Sequence, residues 1–264
     1  MIGVAKRIVI VSDCSDVAYN EMRATILSEL GDTSQNISVE PLVKAKEFSI
    51  ENGSFLVRLM GEVYDPSNTI FLVVLNSLRT NRKDRARIIG ETKNGFKFVG
   101  ANTGTLNWLI KDFGLKNLYE LNASGLMGKD FISFGGKHVH SPAVAKVAKG
   151  VNFSGLGEER SEEFLCDYRV EDGCVVHIDN FGVLKINGSL ENLEEGDKLD
   201  IFVNGERKIV AVFSYSMKDL EDSTWAIYPG SSLNNLPEIG KVRELSSAKK
   251  LGAKIGDIIT WKKI

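Results

Sequence analysis

The chain has 264 residues, of which 43% are apolar and 26% charged, with a formal net charge of -2 and an isoelectric point of about 6.0. This near-neutral balance gives no electrostatic basis for binding nucleic acid or an anionic membrane, and we expect neither partner. No apolar run reaches the length of a membrane span. The three cysteines have no CxxC spacing. They favour reduced thiols in the cytoplasm and indicate no metal site.

The first 150 residues alternate strand-like and helix-like patterns, which is typical of an α/β domain. One apolar run ends at Ser12-Asp13, as a buried parallel strand does, and Asp16 can cap the helix that follows. Asn94-Gly95 predicts a hairpin, and Gly114 ends a helix. The predicted elements are strands at Arg7–Val11, Thr69–Leu75, Ala86–Glu91 and Phe96–Val99, and helices at Asp16–Leu30, Ile50–Val63, Gly104–Phe113 and Pro142–Lys149.

The pattern changes after residue 150. Residues 151–165 are polar and acidic and are expected to form a linker. Residues 166–264 contain short strand-like runs and a second hairpin signal at Asn204-Gly205, which predicts a small β-barrel. The predicted fold class is therefore α/β, with a sandwich-like N-terminal domain (1–150) followed by a C-terminal β-barrel domain (166–264). Its expected strands are Cys174–Ile178, Val183–Ile186, Lys198–Val203, Lys208–Phe213, Trp225–Ile227 and Asp257–Trp261.

A series of short motifs runs in fixed order along nearly the whole chain. They are Ser12–Asp16, Phe48–Gly53, Phe71–Arg82, Phe98–Gly104, Ser133–Ala143, His177–Gly182, Gly230–Ser232 and Leu251–Asp257. In this order they resemble the S-adenosylmethionine hydroxide adenosyltransferase family, to which the fluorinase and chlorinase enzymes are related. The resemblance is closest at His177–Gly182, which matches the family's H-I-D-x-F-G.

The resemblance implies both a fold and a reaction. Family members combine an α/β domain with a C-terminal β-barrel, and they form homotrimers whose ligand lies between the N-terminal domain of one subunit and the C-terminal domain of the next. The reaction is an in-line displacement of L-methionine from C5′ of S-adenosylmethionine, which with water gives adenosine. The sulfonium is already a good leaving group, so the protein mainly orients and desolvates the reactants. S-adenosylmethionine or adenosine is the expected ligand, and no cofactor is expected.

The resemblance assigns two ligand residues to the N-terminal domain. Asp13 falls on the family aspartate that binds the ribose hydroxyls, and a carboxylate can accept from both hydroxyls of a cis-diol. Its alternative role is that of a strand-end acid that caps the next helix. Phe48 falls on an aromatic near the sugar and the methionine portion, with an ordinary core position as its alternative.

Five more residues are assigned in the C-terminal domain. Asp179 matches the acid that holds the methionine ammonium, unless it serves only the turn. Phe181 and Tyr215 are placed to sandwich the adenine, although Tyr215 is equally suited to the barrel wall. Ser231 and Ser232 follow a glycine and can bind the methionine carboxylate, with a simple turn as the alternative.

The chain departs from the family where water is activated. Family hydrolases use an Asp, an Arg and a His there; this chain has Leu75 (or Asn76 with a shift of one residue), Arg82 and Gly135. Arg82 is thus the one retained catalytic residue. The surrounding basic run, Arg79 to Arg87, is expected to be a solvated face, with binding of an anionic group as the alternative that the overall charge does not support.

Two histidines are possible replacements for the missing base. His138 and His140 alternate along a possible strand and would then share a face. They suit either a substitute base or a polar loop, whereas three histidines in the whole chain do not favour a metal site.

The sequence leaves three functions open. The first is hydrolysis of S-adenosylmethionine. The second is binding of an adenosine compound without turnover, as a sensor or partner subunit. The third, halide transfer, is disfavoured because the halogenating enzymes have Tyr at the position of Leu75.

Overall fold

The computed structural model describes residues 6–76, 78, 85–127 and 133–264. The chain forms two compact units, Met1–Arg169 and Val170–Ile264. The first is a mixed α/β unit and the second is a curled β-sheet. The predicted fold class is confirmed.

The first unit is built on one mixed sheet whose central strands are parallel. β5 runs antiparallel to β6, with Arg87 opposite Ala101, so β5 begins at the edge where the parallel strands β1, β4 and β6 end. The strands lie in the order β2-β1-β4-β6-β5-β7-β8, with β3 also beside β1. Their bounds are β1 (Lys6–Ser12), β2 (Ile37–Val39), β3 (Val43–Lys44), β4 (Thr69–Val74), β5 (Arg87–Thr92), β6 (Lys97–Ala101), β7 (Leu115–Leu121) and β8 (Gly157–Arg160).

Helices cover both faces of this sheet. The helices are α1 (Val17–Leu30), α2 (Ile50–Val63), α3 (Asn107–Phe113), α4 (Ala123–Met127) and α5 (Ser141–Ala148). Met22 of α1 and Val144 of α5 join the core around Ile8 on one face. On the other face Phe71 packs against Phe96, with 5.3 Å between ring centroids. Every residue of β4 is consequently buried, as its unbroken apolar sequence predicts.

The segment expected to be a linker belongs to the first unit. Within it, Gly157–Arg160 forms β8, which pairs antiparallel with β7. Arg160 also bridges Glu120 across the strands at 2.8 Å. Charged residues are usual on an edge strand because they oppose pairing with another chain. In the sequence alone, these charges have the same pattern as a solvated linker, which is why β8 was not predicted. The side chains of Asn102 and Asn107 then bind the backbone of residues 164–168, which places the end of the unit at Arg169.

The second unit is a seven-stranded sheet closed into a small barrel. Its strands lie in the order β15-β11-β12-β13-β14-β10-β9, and an antiparallel bridge between Cys174 and Ile258 joins the two ends. The Asn204-Gly205 turn has positive φ at both residues (50° and 83°) and links β11 to β12, as predicted. The elements are β9 (Val175–Ile178), β10 (Leu184–Ile186), β11 (Lys198–Val203), β12 (Glu206–Phe213), β13 (Trp225–Pro229), β14 (Pro237–Lys241), α6 (Ser247–Leu251) and β15 (Ile259–Lys263).

The expectation that His138 and His140 share the face of a strand is wrong. Gly136–His140 form a π-helical turn that continues directly into α5. The Gly136 carbonyl accepts both the backbone N–H of Ser141, which closes the wider turn, and the Ser141 hydroxyl at 2.8 Å. Residues two apart on a helix point to nearly opposite sides. His140 is accordingly buried, with 5% exposure, while His138 is half-buried.

The buried His140 should make stability depend on pH. Burial, and to a smaller extent the nearby Arg87 guanidinium, lowers the pKa of His140 from 6.5 to about 4. The unfolded chain takes up this proton near pH 6.5, whereas the folded chain stays neutral until about pH 4. The burial of His140 therefore imposes a pH-dependent penalty on the folded state that is absent above pH 6.5 and grows as the pH falls, by about 2 kcal/mol between ~pH 7 and ~pH 5.

A His140→Phe variant isolates this contribution, because phenylalanine is similar in size and does not titrate. The free energy of unfolding, measured by urea titration, should fall by about 2 kcal/mol more in the wild type than in the variant over the same pH interval. An equal loss of unfolding free energy in the wild type and in the variant would contradict a buried, neutral His140.

Candidate functional site

A cavity of about 320 Å³ opens in the first unit, at the edge where β1 and β4 end and β5 begins. The carboxyl ends of parallel strands are the usual location of ligand sites in open α/β sheets. Two arginines and a histidine face this cavity, and none of its described lining residues is a carboxylate. The lining consists of Cys14, Val74, Leu75, Asn76, Arg85, Arg87, Ala101, Thr103, Phe134, Gly135, Gly136 and His140.

Asp13 lies directly beside this cavity and is 8% exposed. Its carboxylate accepts the backbone N–H of Phe48 at 3.1 Å and the backbone N–H of Asn76 at 3.2 Å. The Asn76 amide group also donates to it at 3.3 Å. Asp13 thus fixes the segments after β1, β3 and β4 relative to one another. It does not cap α1, because that role belongs to Asp16, whose carboxylate accepts the N–H of Ala18 at 2.9 Å.

Phe48 is not a core residue. Its ring is 52% exposed, and its backbone has φ = 59°, in the left-handed region that a bulky side chain rarely adopts. The hydrogen bond to Asp13 and the start of α2, where the Ser49 hydroxyl accepts from the N–H of Asn52 at 3.2 Å, hold this conformation. Strained backbone of this kind is concentrated at ligand sites.

The two positions that lack the family's catalytic side chains both face the cavity. Leu75 is 5% exposed and contributes only methyl groups. A Cβ atom at Gly135 would lie 3.0 Å from Nη2 of Arg87, so the guanidinium occupies the space beside the missing side chain. An arginine has thereby taken over the place next to residue 135.

The basic run is only partly a solvated face. Arg82 and Arg79 lie outside the described residues. Arg85 and Arg87 line the cavity, and burial lowers the pKa of Arg87. The interpretation as a solvated face is wrong for Arg87, which is half-buried, whereas Arg85 lines the cavity and is also exposed. The signal that sequence reasoning missed is the position of Arg87 at the start of an antiparallel strand, which places it at the edge where the parallel strands end.

His140 and Cys14 are the other titratable groups facing the cavity. Neither ring nitrogen of His140 forms a hydrogen bond with a described residue. The carbonyls of Gly135 and Gly100 only partly oppose the lowering of its pKa, and their geometry falls short of a hydrogen bond. Burial, followed by the neighbouring Asp13 carboxylate, raises the pKa of the Cys14 thiol. At neutral pH the cavity therefore presents a neutral imidazole and a protonated thiol.

In the second unit, Asp179 sits in a tight turn between β9 and β10. Its Oδ1 accepts the N–H groups of Phe181 and Val183, each at 2.9 Å, and its carbonyl accepts the N–H of Gly182. Gly182 has φ = 87°, and a Cβ there would lie 2.6 Å from the backbone of Ser246. Asp179 therefore stabilises the turn, and its Oδ1 is used by the two N–H groups. The ammonium role of the carboxylate stays a prediction.

Next to Asp179 a row of polar side chains crosses four strands of the barrel. Register places His177 opposite Lys185, Lys185 opposite Glu238, and Glu238 opposite Tyr228. Lys185 and Glu238 form an ion pair whose side chains are 13% and 10% exposed. Burial, with the Glu238 charge, raises the pKa of Tyr228, and burial with the Lys185 charge lowers the pKa of His177. Sequence reasoning missed this row because its members are far apart in the chain.

The Gly230 turn is tightly constrained. A side chain at Gly230 would collide with the Glu238 carboxylate. Ser231 is exposed and Ser232 is buried, so the two predicted carboxylate ligands differ in access. The next three residues, Leu233, Asn234 and Asn235, all have positive φ (46°, 57° and 66°), which is a strained conformation above all for leucine.

Exposed aromatic rings coincide with the predicted ligand residues. In the described part of the chain, the aromatic side chains that are exposed are Phe48 (52%), Phe181 (56%) and Tyr215 (66%). Tyr215 packs edge-on against Phe213, with ring centroids 5.0 Å apart, and its N–H donates to Glu195 at 2.7 Å. Exposed large apolar groups of this kind mark binding surfaces.

Two further properties concern the described residues alone. No group of three or more His, Cys, Asp and Glu side chains among them is arranged to hold a metal ion. None of their helices combines the length and hydrophobicity needed to cross a membrane.

Solved structures share this fold. An uncharacterised conserved protein from Thermotoga maritima superposes with a TM-score of 0.80 at 21% identity, covering 97% of this chain and 100% of that one. A conserved hypothetical protein from Thermus thermophilus gives 0.73 at 18% identity, with the same coverage. At these identities the likeness concerns the fold alone.

Sequence comparison identifies the family. The chain is 26% identical over 142 residues to a protein from Methanocaldococcus jannaschii named (R)-S-adenosyl-L-methionine hydrolase. That match covers 54% of this chain and about half the length of the relative. The profile of the SAM hydroxide adenosyltransferase N-terminal domain matches residues 8–157, more than half of the chain. The chain therefore belongs to the SAM hydroxide adenosyltransferase family.

Proposed function

We propose that the chain is an enzyme that binds S-adenosylmethionine and displaces L-methionine from C5′ with water, which gives adenosine. The observation that carries this proposal is the cavity beside Asp13. Leu75 (or Asn76) and Gly135 are the positions where the family resemblance expects the water-activating Asp and His, and these two separate segments line one cavity. The 26% identity to a protein named as a hydrolase of this substrate supports the same reaction.

The proposed roles follow from chemistry. The sulfonium leaves without protonation, so catalysis requires an attacking oxygen held in line with the C5′–S bond and shielded from bulk water. Asp13 accepts from the ribose hydroxyls when these displace its two side-chain donors, the Asn76 amide at 3.3 Å and the Cys14 thiol at 3.7 Å, so that its bonds to the backbone N–H groups of Phe48 and Asn76 are kept. Asp179, Ser231 and Ser232 bind the amino-acid end, and Phe48, Phe181 and Tyr215 cover the nucleoside. No cofactor takes part.

An arginine orients or polarises the attacking water but cannot accept its proton. Arg82 keeps this assignment from the family motif. Arg87 is a second candidate, because its guanidinium faces the cavity next to Gly135. The rates of hydrolysis of Arg82→Gln and Arg87→Gln distinguish the two candidates, because the arginine that orients the water is the one whose loss slows the reaction more.

A second function, binding without turnover, is favoured by one observation: Leu75 and Gly135 supply no proton acceptor to the cavity. Halide transfer is the third possibility, since a halide needs donors and dehydration but no base. The cytoplasm is the proposed location, which fits three cysteines that are free thiols.

The reaction is tested by incubating the protein with S-adenosylmethionine, with and without chloride or fluoride, and separating the products by chromatography. Because the related protein's name specifies an (R) configuration, both configurations at the sulfonium are assayed. Adenosine and methionine in equal amounts are expected. A halogenated nucleoside would indicate halide transfer, and intact substrate with measurable binding would indicate the sensor function.

The Asp179 assignment predicts selective loss of affinity. Asp179→Asn keeps an oxygen that accepts from Phe181 and Val183, so the turn is retained while the charge is removed. Binding of S-adenosylmethionine, measured by calorimetry, should weaken by about 2 kcal/mol or more because the ligand ammonium loses its partner. Adenosine, which lacks that group, serves as the control. Equal losses for both ligands would contradict the role.

We also propose a homotrimer with sites shared between subunits. The three exposed aromatic rings support it, because a neighbouring subunit and a ligand together would cover them. Light scattering should give three times the 29.1 kDa of one chain. A monodisperse monomer at micromolar concentration would count against shared sites.

A further inference from the structure

The proposed reaction leaves a proton to be removed. Water that attacks C5′ becomes positively charged unless a base takes one of its protons. The described lining of the cavity restricts the choice of base. Guanidinium, amide and hydroxyl groups do not act as bases near neutral pH, which excludes Arg85, Arg87, Asn76 and Thr103. The thiol of Cys14 is protonated, because burial and Asp13 raise its pKa.

Asp13 is not suited to this task. Its two oxygens already accept three N–H groups from Phe48 and Asn76, and it is not among the residues that face the cavity. Protonating it would weaken the bonds that hold these segments together. The remaining proton acceptor in the described lining is the imidazole of His140.

His140 is a buried polar side chain whose hydrogen-bonding groups are available to a ligand. The residue is only 5% exposed, it faces the cavity, and neither ring nitrogen is hydrogen-bonded to a described residue. An unpaired buried polar group costs about 1–3 kcal/mol of stability. A bound water or ligand that hydrogen-bonds to the group recovers part of this cost. A water or ligand in the cavity would satisfy it.

We propose that His140 is the general base for the nucleophilic water; this inference rests on the proposed hydrolysis. In the step, the water oxygen forms a bond to C5′ as the C5′–S bond breaks. The electron pair of that bond goes to sulfur and gives neutral methionine. One water proton moves to the free ring nitrogen of His140, and the resulting imidazolium later returns it to solvent.

The surroundings of His140 both help and oppose its role as a base. The neutral imidazole is present throughout the physiological range, because burial, and to a smaller extent Arg87, lower its pKa to about 4. The same shift makes it a weaker base than a free histidine, and the carbonyls of Gly135 and Gly100 partly offset this because they favour the imidazolium. Arg87, close to the same ring, can hold the water oxygen while the imidazole takes the proton. The π-helical turn sets the position of the ring, because it inserts extra backbone immediately before α5 and turns residue 140 inward.

The test compares His140→Gln with His138→Gln. Glutamine retains polarity but takes no proton near neutral pH, and His138 lies in the same turn without facing the cavity. Single-turnover hydrolysis should fall on the order of 10²-fold in His140→Gln and by less than about twofold in His138→Gln. Binding of S-adenosylmethionine, measured by calorimetry, should stay within about threefold in both.

Imidazole rescue separates a chemical role from a structural one. His140→Gly opens space contiguous with the cavity, and added imidazole should restore part of its turnover, whereas His138→Gly should not respond. Wild-type rates in His140→Gln, or a loss that imidazole does not relieve while binding is intact, would overturn the inference and leave the proposed hydrolysis standing. A wild type that produces no adenosine would overturn both.

Discussion

The carboxylate of Asp13 is the interaction on which the site depends. It stands at the end of a buried parallel strand and accepts backbone N–H groups from two distant segments, those of Phe48 and Asn76. Backbone donors at strand ends need partners when they are removed from water, and a single ionised acid supplies them here. The left-handed backbone of Phe48 and the course of the chain after β4 both follow from this one contact. The same carboxylate therefore positions the cavity, the exposed ring of Phe48 and the ends of the parallel strands.

Sequence reasoning succeeded where local pattern and burial agree. The apolar runs Ile8–Val11 in β1 and Ile70–Val74 in β4 are buried on both faces, and α1 and α2 follow the capping residues Asp16 and Ser49. It failed where pairing partners decide. β7 was not predicted because Lys116, Asn117 and Glu120 interrupt its apolar residues. β14 begins with Pro237 and contains Gly240, and it becomes a strand only because β13 and β10 flank it.

The same division applies to the site. Motif order located Asp13, Leu75 and Gly135, and the structure brings their segments to one cavity edge. The Asn94-Gly95 hairpin already predicted the antiparallel direction of β5, but the spacing of the motifs does not show that Gly135 lies at the same edge of the sheet as Arg87, so their contact was missed. The burial of His140 was equally hidden, since a π-helical turn leaves no periodicity in five residues. The polar row from His177 to Tyr228 exists only once four barrel strands are in register.

The packing of Arg87 against Gly135 has an evolutionary consequence. A side chain at residue 135 and the present position of the guanidinium compete for the same space, with 3.0 Å between Nη2 and the position of a Cβ. The effect of a substitution at either residue thus depends on the other, which is epistasis with a steric origin. A side chain introduced at residue 135 requires the Arg87 guanidinium to shift by a few tenths of an ångström, which a flexible arginine can do. Histidine at 135 is therefore expected to be tolerated better beside a shorter residue at 87 than beside arginine, so the two positions constrain each other through packing rather than through chemistry.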